Sequence, residues 1–349
     1  MTPARIADAF TTQSIACESL GSPFMGQLMR LCATMDWPDG PITDRIFAWQ
    51  GEIGPRDQSV PLRLAGALHA LHLGGHAVLD QVYPPRQVDD ATLWRAISAV
   101  LTSEVDHLSQ WLDSAPQTNE VRRSTTLIAV GHWLAARFGL PIRTSELGAS
   151  GGLNLHWDSY AMEIAGQHFG PAEAALTLTP DWEGPLPPAA SPQVTARAGV
   201  DLNPLDPRKA EHALRLQAYL WPDQPHRLAL TRAAIAAAET PVAQGDAVDW
   251  LAGRLEHQDG IVHLIYSTIA WQYFPAEAQA RGAGLIEAAG AQATDTSPLA
   301  WFGMENDGGE RGAALTLRLW PGDLRLDLGR ADFHGRWVTW TGTDPKTAT

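Results

Sequence analysis

The segment Thr144-Ser145-Glu146-Leu147-Gly148-Ala149-Ser150-Gly151-Gly152-Leu153-Asn154-Leu155 runs from a short strand pattern through small residues into a helix pattern. Glycines tolerate positive φ and let backbone amides approach a ligand closely, and the helix start beyond them offers unpaired N–H groups to an anion. Two acids follow at comparable places: Asp201 ends the strand pattern of AGVDLNP, and Asp246 ends the next one, in AQGDAVDW. A carboxylate there can accept both hydroxyls of a ribose, and open α/β sheets bind ligands outside the carboxyl ends of their strands. A glycine turn alone is a weak nucleotide signal, but the ordered set of turn, acid and acid strengthens it. Each acid has a structural alternative. Asp246 precedes AVDWLAGRL and suits a helix N-cap; Asp201 suits that role less, because Asp206 before Pro207 makes the better cap.

The elements that must position these residues fall into two regions. Up to about Leu140 the apolar period is helical, with segments near 3–20, 23–35, 42–50, 60–75, 89–113 and 121–139 and no convincing strand. Pro23 and Pro61 stand at first-turn positions, and Asp89 or Asp90 can cap the helix carrying Leu93, Trp94, Ile97 and Val100. Beyond Leu140, short strands alternate with helices, including helices started by Pro207 and Pro275, as in a parallel sheet with crossover helices. ALTLRLW, the turn PGD, LRLDL and RWVTW then read as antiparallel strands added at a sheet edge, and the Pro-rich 158–197 stretch reads as an insertion. The expectation is an α/β protein with a helical N-terminal domain over 1–118 and a mostly parallel sheet domain over 119–349.

Composition narrows the function. The net charge of −14 repels phosphate backbones and anionic membranes, and no Lys/Arg cluster offsets it, so neither nucleic acid nor membrane is an expected partner. Cys17 and Cys32 are too few for a disulfide framework or a thiolate zinc site, and no apolar stretch has signal-peptide or membrane-span length. The expected location is the cytoplasm. His69, His72 and His76 share one helix face, yet HALHLGGH brings no further ligand, so no metal is expected.

With these motifs in view, the chain resembles the class I S-adenosylmethionine-dependent methyltransferase superfamily: ELGASGG looks like its first motif, GVDLNP its second-strand acid, QGDA its third motif and LIYSTIAWQYFP its fourth-strand segment. Over nearly its whole length it resembles the bacterial DUF2332 family, through GSPF, QTNEVRRS, ELGASGGLNLHWDSY, GVDLNPLDP, WPDQPHR, QGDAVD and HGRWVTW. The resemblance implies a Rossmann-like methyltransferase fold under a helical cap. It also implies S-adenosylmethionine held by Glu146, Gly148, Ala149, Ser150, Gly152, Asp201, Leu202, Asp246 and Ala247, with Asn119 and Arg123 on the helix that closes the cofactor site. Arg123 would pair with the methionine carboxylate; the alternative is a solvated arginine beside an Asn119 cap. Ser150 replaces the motif's middle glycine, and the 158–197 insertion widens the spacing to Asp201.

Asn154, Asp158 and Tyr160 after the turn, and Ser267 and Tyr273 after the fourth strand, could face cofactor or substrate; of these Asn154, Ser267 and Tyr273 are the catalytic candidates. Local hydrogen bonding or core packing is the alternative for each. The reading is a methyltransferase of a small-molecule acceptor. A non-catalytic binder of the same fold and a nicotinamide oxidoreductase, which shares the turn-plus-acid physics, are the alternatives.

Overall fold

The computed structural model describes residues 2–54, 58–309, 311–342 and 344–346, and the chain divides into two compact units: 1–118 with 210–229, and 119–209 with 230–349. The first is helical: α1 (Ala4–Ser19), α2 (Pro23–Thr34), α3 (Pro41–Phe47), α4 (Val60–Leu73), α5 (Asp90–Ser103) and α6 (Val105–Leu112). Proline and caps set the starts as the pattern suggests. Pro23 opens α2, whose cap Ser22 accepts the Met25 amide, and Asp89 accepts the Thr92 amide at 2.7 Å to open α5. The single 89–113 helix of the sequence reading is two, because the chain leaves helical geometry at Glu104.

Phe10, Leu28, Ile42, Leu64, Leu93 and Ile97 are fully buried in this unit's core. Residues 210–229 complete that core, although they lie beyond the 1–118 boundary: α8 (Ala210–Ala218) is followed by Tyr219 and Trp221, both buried in it. Tyr219 fits over Gly66, where a Cβ would meet its ring, and lies 5.8 Å from the Trp111 ring. Pro207 does not start this helix, which begins at Ala210, and Asp206 is not its cap. Asp206 instead accepts the Arg208 amide at 3.1 Å and the Arg208 guanidinium at 2.8 and 3.1 Å, a pairing within two residues that closes a turn. The chain then enters α9 (Pro225–Ala237), along which one unit gives way to the other.

Among its described residues the second unit has α7 (Ser124–Phe138), α10 (Ala247–Ala252), α11 (Ala276–Gly290) and twelve strands. These are β1 (Ile142–Leu147), β2 (Ala161–Ile164), β3 (Gln167–Phe169), β4 (Thr177–Leu178), β5 (Asp181–Glu183), β6 (Val194–Asp201), β7 (Ala243–Gln244), β8 (Val262–Thr268), β9 (Leu299–Glu305), β10 (Ala313–Trp320), β11 (Leu324–Ala331) and β12 (Trp337–Trp340). Nine form one sheet in the order β5-β12-β11-β10-β9-β8-β1-β6-β7. From β7 to β9 neighbours are parallel, and β9 to β12 form an antiparallel meander, as the alternating patterns suggest. The insertion makes a small sheet, β3-β2-β4, and sends β5 to the far edge, parallel to β12. The protein is therefore mixed α/β with a large, mostly parallel sheet. No helix among the described residues is long and apolar enough to cross a membrane.

Both faces of the parallel strands are covered, so β8 is buried at every position. The period of two sorts its residues: Val262, Leu264 and Tyr266 join one core with Leu127 and Val130 of α7, while Ile265 joins another with Leu251 and Ile286. The α7 face approaches closely because Gly131 leaves room for the fully buried Trp157 ring, which would overlap a Cβ there. Gly131→Ala gains up to about 1 kcal/mol of helix propensity but incurs about 1–3 kcal/mol of overpacking, and the second term prevails because Trp157 has nowhere to move. Thermal unfolding is expected to show a Tm lowered by a few degrees; an unchanged Tm would mean that the ring can shift.

Candidate functional site

In this sheet the strand order reverses at β1, which lies between β6 and β8, and the loops at the carboxyl ends of these strands form the candidate site. Glu146 is the last but one residue of β1 and is 2% exposed. Gly148 (φ +75°) turns the chain, and the Gly148 and Ala149 amides both donate to the Val200 carbonyl at 3.0 Å, which ties the turn to β6. Ser150 (φ +54°) takes a left-handed conformation that an L-residue adopts at a cost, and its amide donates to Asp201 Oδ2 at 2.9 Å. Asp201 Oδ1 accepts the Asn203 amide at 2.9 Å, so this one carboxylate holds the turn after β1 and the turn after its own strand. The Ser150 hydroxyl is buried with no hydrogen-bond partner. Gly152 (φ +72°) closes the turn, its amide donating to the Ala149 carbonyl at 2.8 Å.

The helix expected after the glycines is absent. Leu153–Ser159 is a 3₁₀ segment kinked at His156. Tertiary contacts override the helical pattern: Trp157 is buried under α7, the Tyr160 hydroxyl donates back to the Leu153 carbonyl at 2.6 Å, and His156 Nε2 lies 3.3 and 3.4 Å from the amides of Glu239 and Thr240. Burial lowers the His156 pKa to about 4, with Arg197 pushing the same way, so the ring is neutral and can accept those amides. Asp158 pairs with Arg197 at 2.7 Å.

The segment 119–124 wraps the turn. Asn119 Oδ1 accepts the Leu153 amide at 2.9 Å, Asn154 Nδ2 donates to the Glu120 carbonyl at 3.3 Å, and the Ser124 hydroxyl donates to Asn154 Oδ1 at 2.7 Å. Arg123, 8% exposed, donates to the backbone carbonyls of Thr268, which ends β8, and of Phe333 at 3.1 and 3.0 Å. Asn154 and Ser267 are each 1% exposed. Leu202 and Tyr273, each 65% exposed, offer apolar surface after β6 and β8. Asp246 accepts the amides of Val248 and Asp249, both at 2.9 Å, and so caps α10, with the buried Ala247 as its first residue; Arg281 lies 3.4 Å from it.

Glu305, at the end of β9, was missed, although the rule that flagged Asp201, an acid closing a parallel strand, applies to it equally. Its carboxylate accepts the amides of Ala270, Trp271 and Gln272 at 3.1, 3.1 and 3.4 Å, which fixes the loop after β8. That loop sets the Ala270 side chain against Gly148, where a Cβ would lie 2.5 Å from Ala270 Cβ. Sequence reading also missed Ser145 Oγ, 2.9 Å from His263 Nε2. This pair is not an activated nucleophile. The Arg143 guanidinium lies 3.1 Å from His263 Nδ1, so that nitrogen must accept, and Nε2–H donates to the serine instead of taking its proton. The three histidines do not share one helix: His69 and His72 lie on α4, which ends at Leu73, and His76 lies beyond it, and they bond to the Ala218 carbonyl, Asp80 and Glu104 respectively. Among the described residues no group of three or more His, Cys, Asp or Glu could hold a metal ion.

Burial holds the Glu146 carboxyl well above the usual glutamate range, and Asp201 adds to this, against the Tyr266 hydroxyl at 3.5 Å and the Arg123 charge. A group raised in the folded state contributes stability that is complete below its unfolded pKa, about 4.3, and is lost as pH rises through the folded value. Glu146→Gln, which cannot ionise, is expected to gain stability relative to the parent as urea unfolding is followed from about pH 5 to about pH 9. Parallel curves would show that Glu146 is already charged. Arg123→Ala strands the buried Thr268 carbonyl and the part-buried Phe333 carbonyl, and at about 1–3 kcal/mol for an unsatisfied buried group it is expected to lower Tm without any ligand; a wild-type Tm would mean that water replaces the guanidinium.

No curated protein matches this chain. Residues 7–340 match the model of the family described as "Uncharacterized protein conserved in bacteria (DUF2332)". The match takes in both units and every residue of the candidate site, and the chain belongs to the DUF2332 family.

Proposed function

We propose that the carboxyl edge of β6, β1 and β8 binds S-adenosylmethionine and that the protein is a methyltransferase of a small-molecule acceptor. The observation that carries this reading is the acidic lining of the carboxyl edge of the parallel strands: the Asp201 and Asp246 carboxylates stand at it after β6 and β7, with the buried carboxyl groups of Glu146 and Glu305 behind them, while the turn after β1 leads into a kinked 3₁₀ segment. A pyrophosphate needs aligned helix amides and meets repulsion from these acids. A ribose joined to a sulfonium and an ammonium needs acceptors and meets attraction. This disfavours the nicotinamide reading.

The residues fit such a ligand. Asp201 ends β6 with an acceptor-only carboxylate, the group that takes the two hydroxyls of a ribose. Leu202 beside it provides a flat apolar surface for a base, and the buried, unpartnered Ser150 hydroxyl is a polar atom at the turn that a ligand can satisfy. With Ala270 over Gly148, the ligand approaches the turn from the Asp201 side. The bound cofactor supplies an activated methyl group; the protein's part is alignment, and a base is needed only for a protonated nucleophile. One observation favours the second reading, a binder without turnover: Asn154 and Ser267 are both buried, and Asn154 is already hydrogen-bonded within the protein.

Calorimetry is expected to show saturable binding of S-adenosylmethionine and S-adenosylhomocysteine and none of NAD or NADP; the reverse pattern would sink the proposal. Asp201→Asn replaces an acceptor-only group by one that also donates, and at about 1.5–3 kcal/mol per bond to a charged group affinity is expected to fall roughly 10- to 150-fold. Thermal unfolding of the ligand-free proteins separates this from a loosened turn. Formation of S-adenosylhomocysteine when low-mass cell extract is added distinguishes the transferase from the binder.

A further inference from the structure

The helical unit contains a cavity of about 690 Å³ that the sheet chemistry does not use. Phe24, Val82 and Val88 give it an apolar lining, and Pro23, Pro84, Pro85, Pro222 and Pro225 form much of the rest. Five prolines have their φ fixed before any ligand arrives, so the walls lose little conformational freedom on binding and keep their shape without one. Hydrogen bonds pin the walls further. Asp223 accepts the Phe24 amide at 2.9 Å and the Ser22 hydroxyl, which locks the loop before α9 onto the start of α2. Gln27 donates to the Val88 carbonyl at 3.1 Å and to Asp90 at 2.8 Å, which locks the strand-like approach to α5 onto the same helix. The cavity is thus built and held open by the chain, with a volume inside the range of small-molecule sites.

The polar groups select the ligand's charge. Gln27 uses both amide hydrogens on the protein, which leaves its oxygen as an acceptor, and Asp223 presents a half-buried carboxylate with more acceptor sites than its two bonds fill. Among the described residues that line the wall the one cation is Arg86, which is exposed and has its Nε bonded to the Asp80 carbonyl. Solvent screens an exposed charge far more than a half-buried one, so the field inside follows Asp223. The protein's net charge of −14 draws cations in the same direction.

We propose that this cavity is a binding site for a small amine: a compact aryl or branched alkyl body in the proline-walled space, with its ammonium donating to the Asp223 carboxylate. The proposal is independent of the reading of the sheet edge. The apolar body supplies affinity through burial and the ammonium supplies selection through a charge-assisted bond.

The test uses the whole protein and three probes built on the same phenylethyl body, 2-phenylethylamine, 2-phenylethanol and 3-phenylpropionate, followed by calorimetry or ligand-observed NMR. The amine is expected to bind saturably, about 5- to 10-fold tighter than the alcohol, as the difference between a charge-assisted and a neutral hydrogen bond gives, with the propionate weakest. Asp223→Asn is expected to bring the amine down to the level of the alcohol. Because Asp223 also holds α2, that variant is paired with Val88→Trp, which fills the cavity while keeping the Val88 carbonyl bonded, and which is expected to abolish binding of all three probes with helix content intact by circular dichroism. Absence of saturable amine binding by the parent, preference for the propionate, or undiminished binding by folded Val88→Trp would each overturn the assignment.

Discussion

A buried guanidinium is costly to hold, and Arg123 is held by giving its N–H groups to the main chain. Its partners include the carbonyl that ends β8 and a carbonyl in the loop between β11 and β12, and its neighbours Asn119, Glu120 and Ser124 bind the segment after the β1 turn. One short segment thereby joins three places that lie up to about two hundred residues apart in the chain. Gly335 allows the C-terminal loop to lie against Arg122, where a Cβ would strike the backbone. The polar run QTNEVRRS and the terminal HGRW are distant in sequence and adjacent in space for this reason.

Carboxylates do the same work at the loops. Asp201 holds the Ser150 and Asn203 amides, Glu305 holds three amides after β8, Asp246 caps α10, and Asp332 accepts the His334 and Arg336 amides. Each acid fixes a main-chain turn by bonding donors that no strand or helix satisfies. Part of the acidic excess is thus a set of structural pins, and the site edge is acidic partly because loops need anchoring there. Asp201 shows that the pin and the candidate ligand group can be one residue.

Most of the sheet was legible because its signals are local. Strand and helix patterns alternate from Leu140 onward, the PGD turn separates β10 from β11, and the prolines mark the insertion. What escaped depends on contacts between distant residues. The residues after Gly152 look helical until Trp157 is seated over Gly131 and His156 accepts two amides from 239–240, which shorten and kink the segment. Asp206 looks like a cap until Arg208 takes it. Asp246 was legible both ways, and its side chain makes the two amide bonds of an N-cap. Arg123 invited a ligand role from its place before a helix, whereas its partners are carbonyls that no local pattern could name. The assignment of 210–229 to the helical core was invisible for the same reason, since α8 has the sequence of an ordinary crossover helix.

That last feature bears on how the chain is made. Domains tend to fold as they leave the ribosome, N-terminal first. Here the first six helices emerge with an unfilled notch at Gly66 and an uncovered Trp111 face, and Tyr219 follows about a hundred residues later, a delay on the order of 5–20 s at typical rates of synthesis. Until then Ser22 lacks Asp223 and the end of α1 lacks Gln224. The half of the protein that is begun first is closed only when about two-thirds of the chain has been synthesised, and its open core is the surface a nascent-chain chaperone would meet.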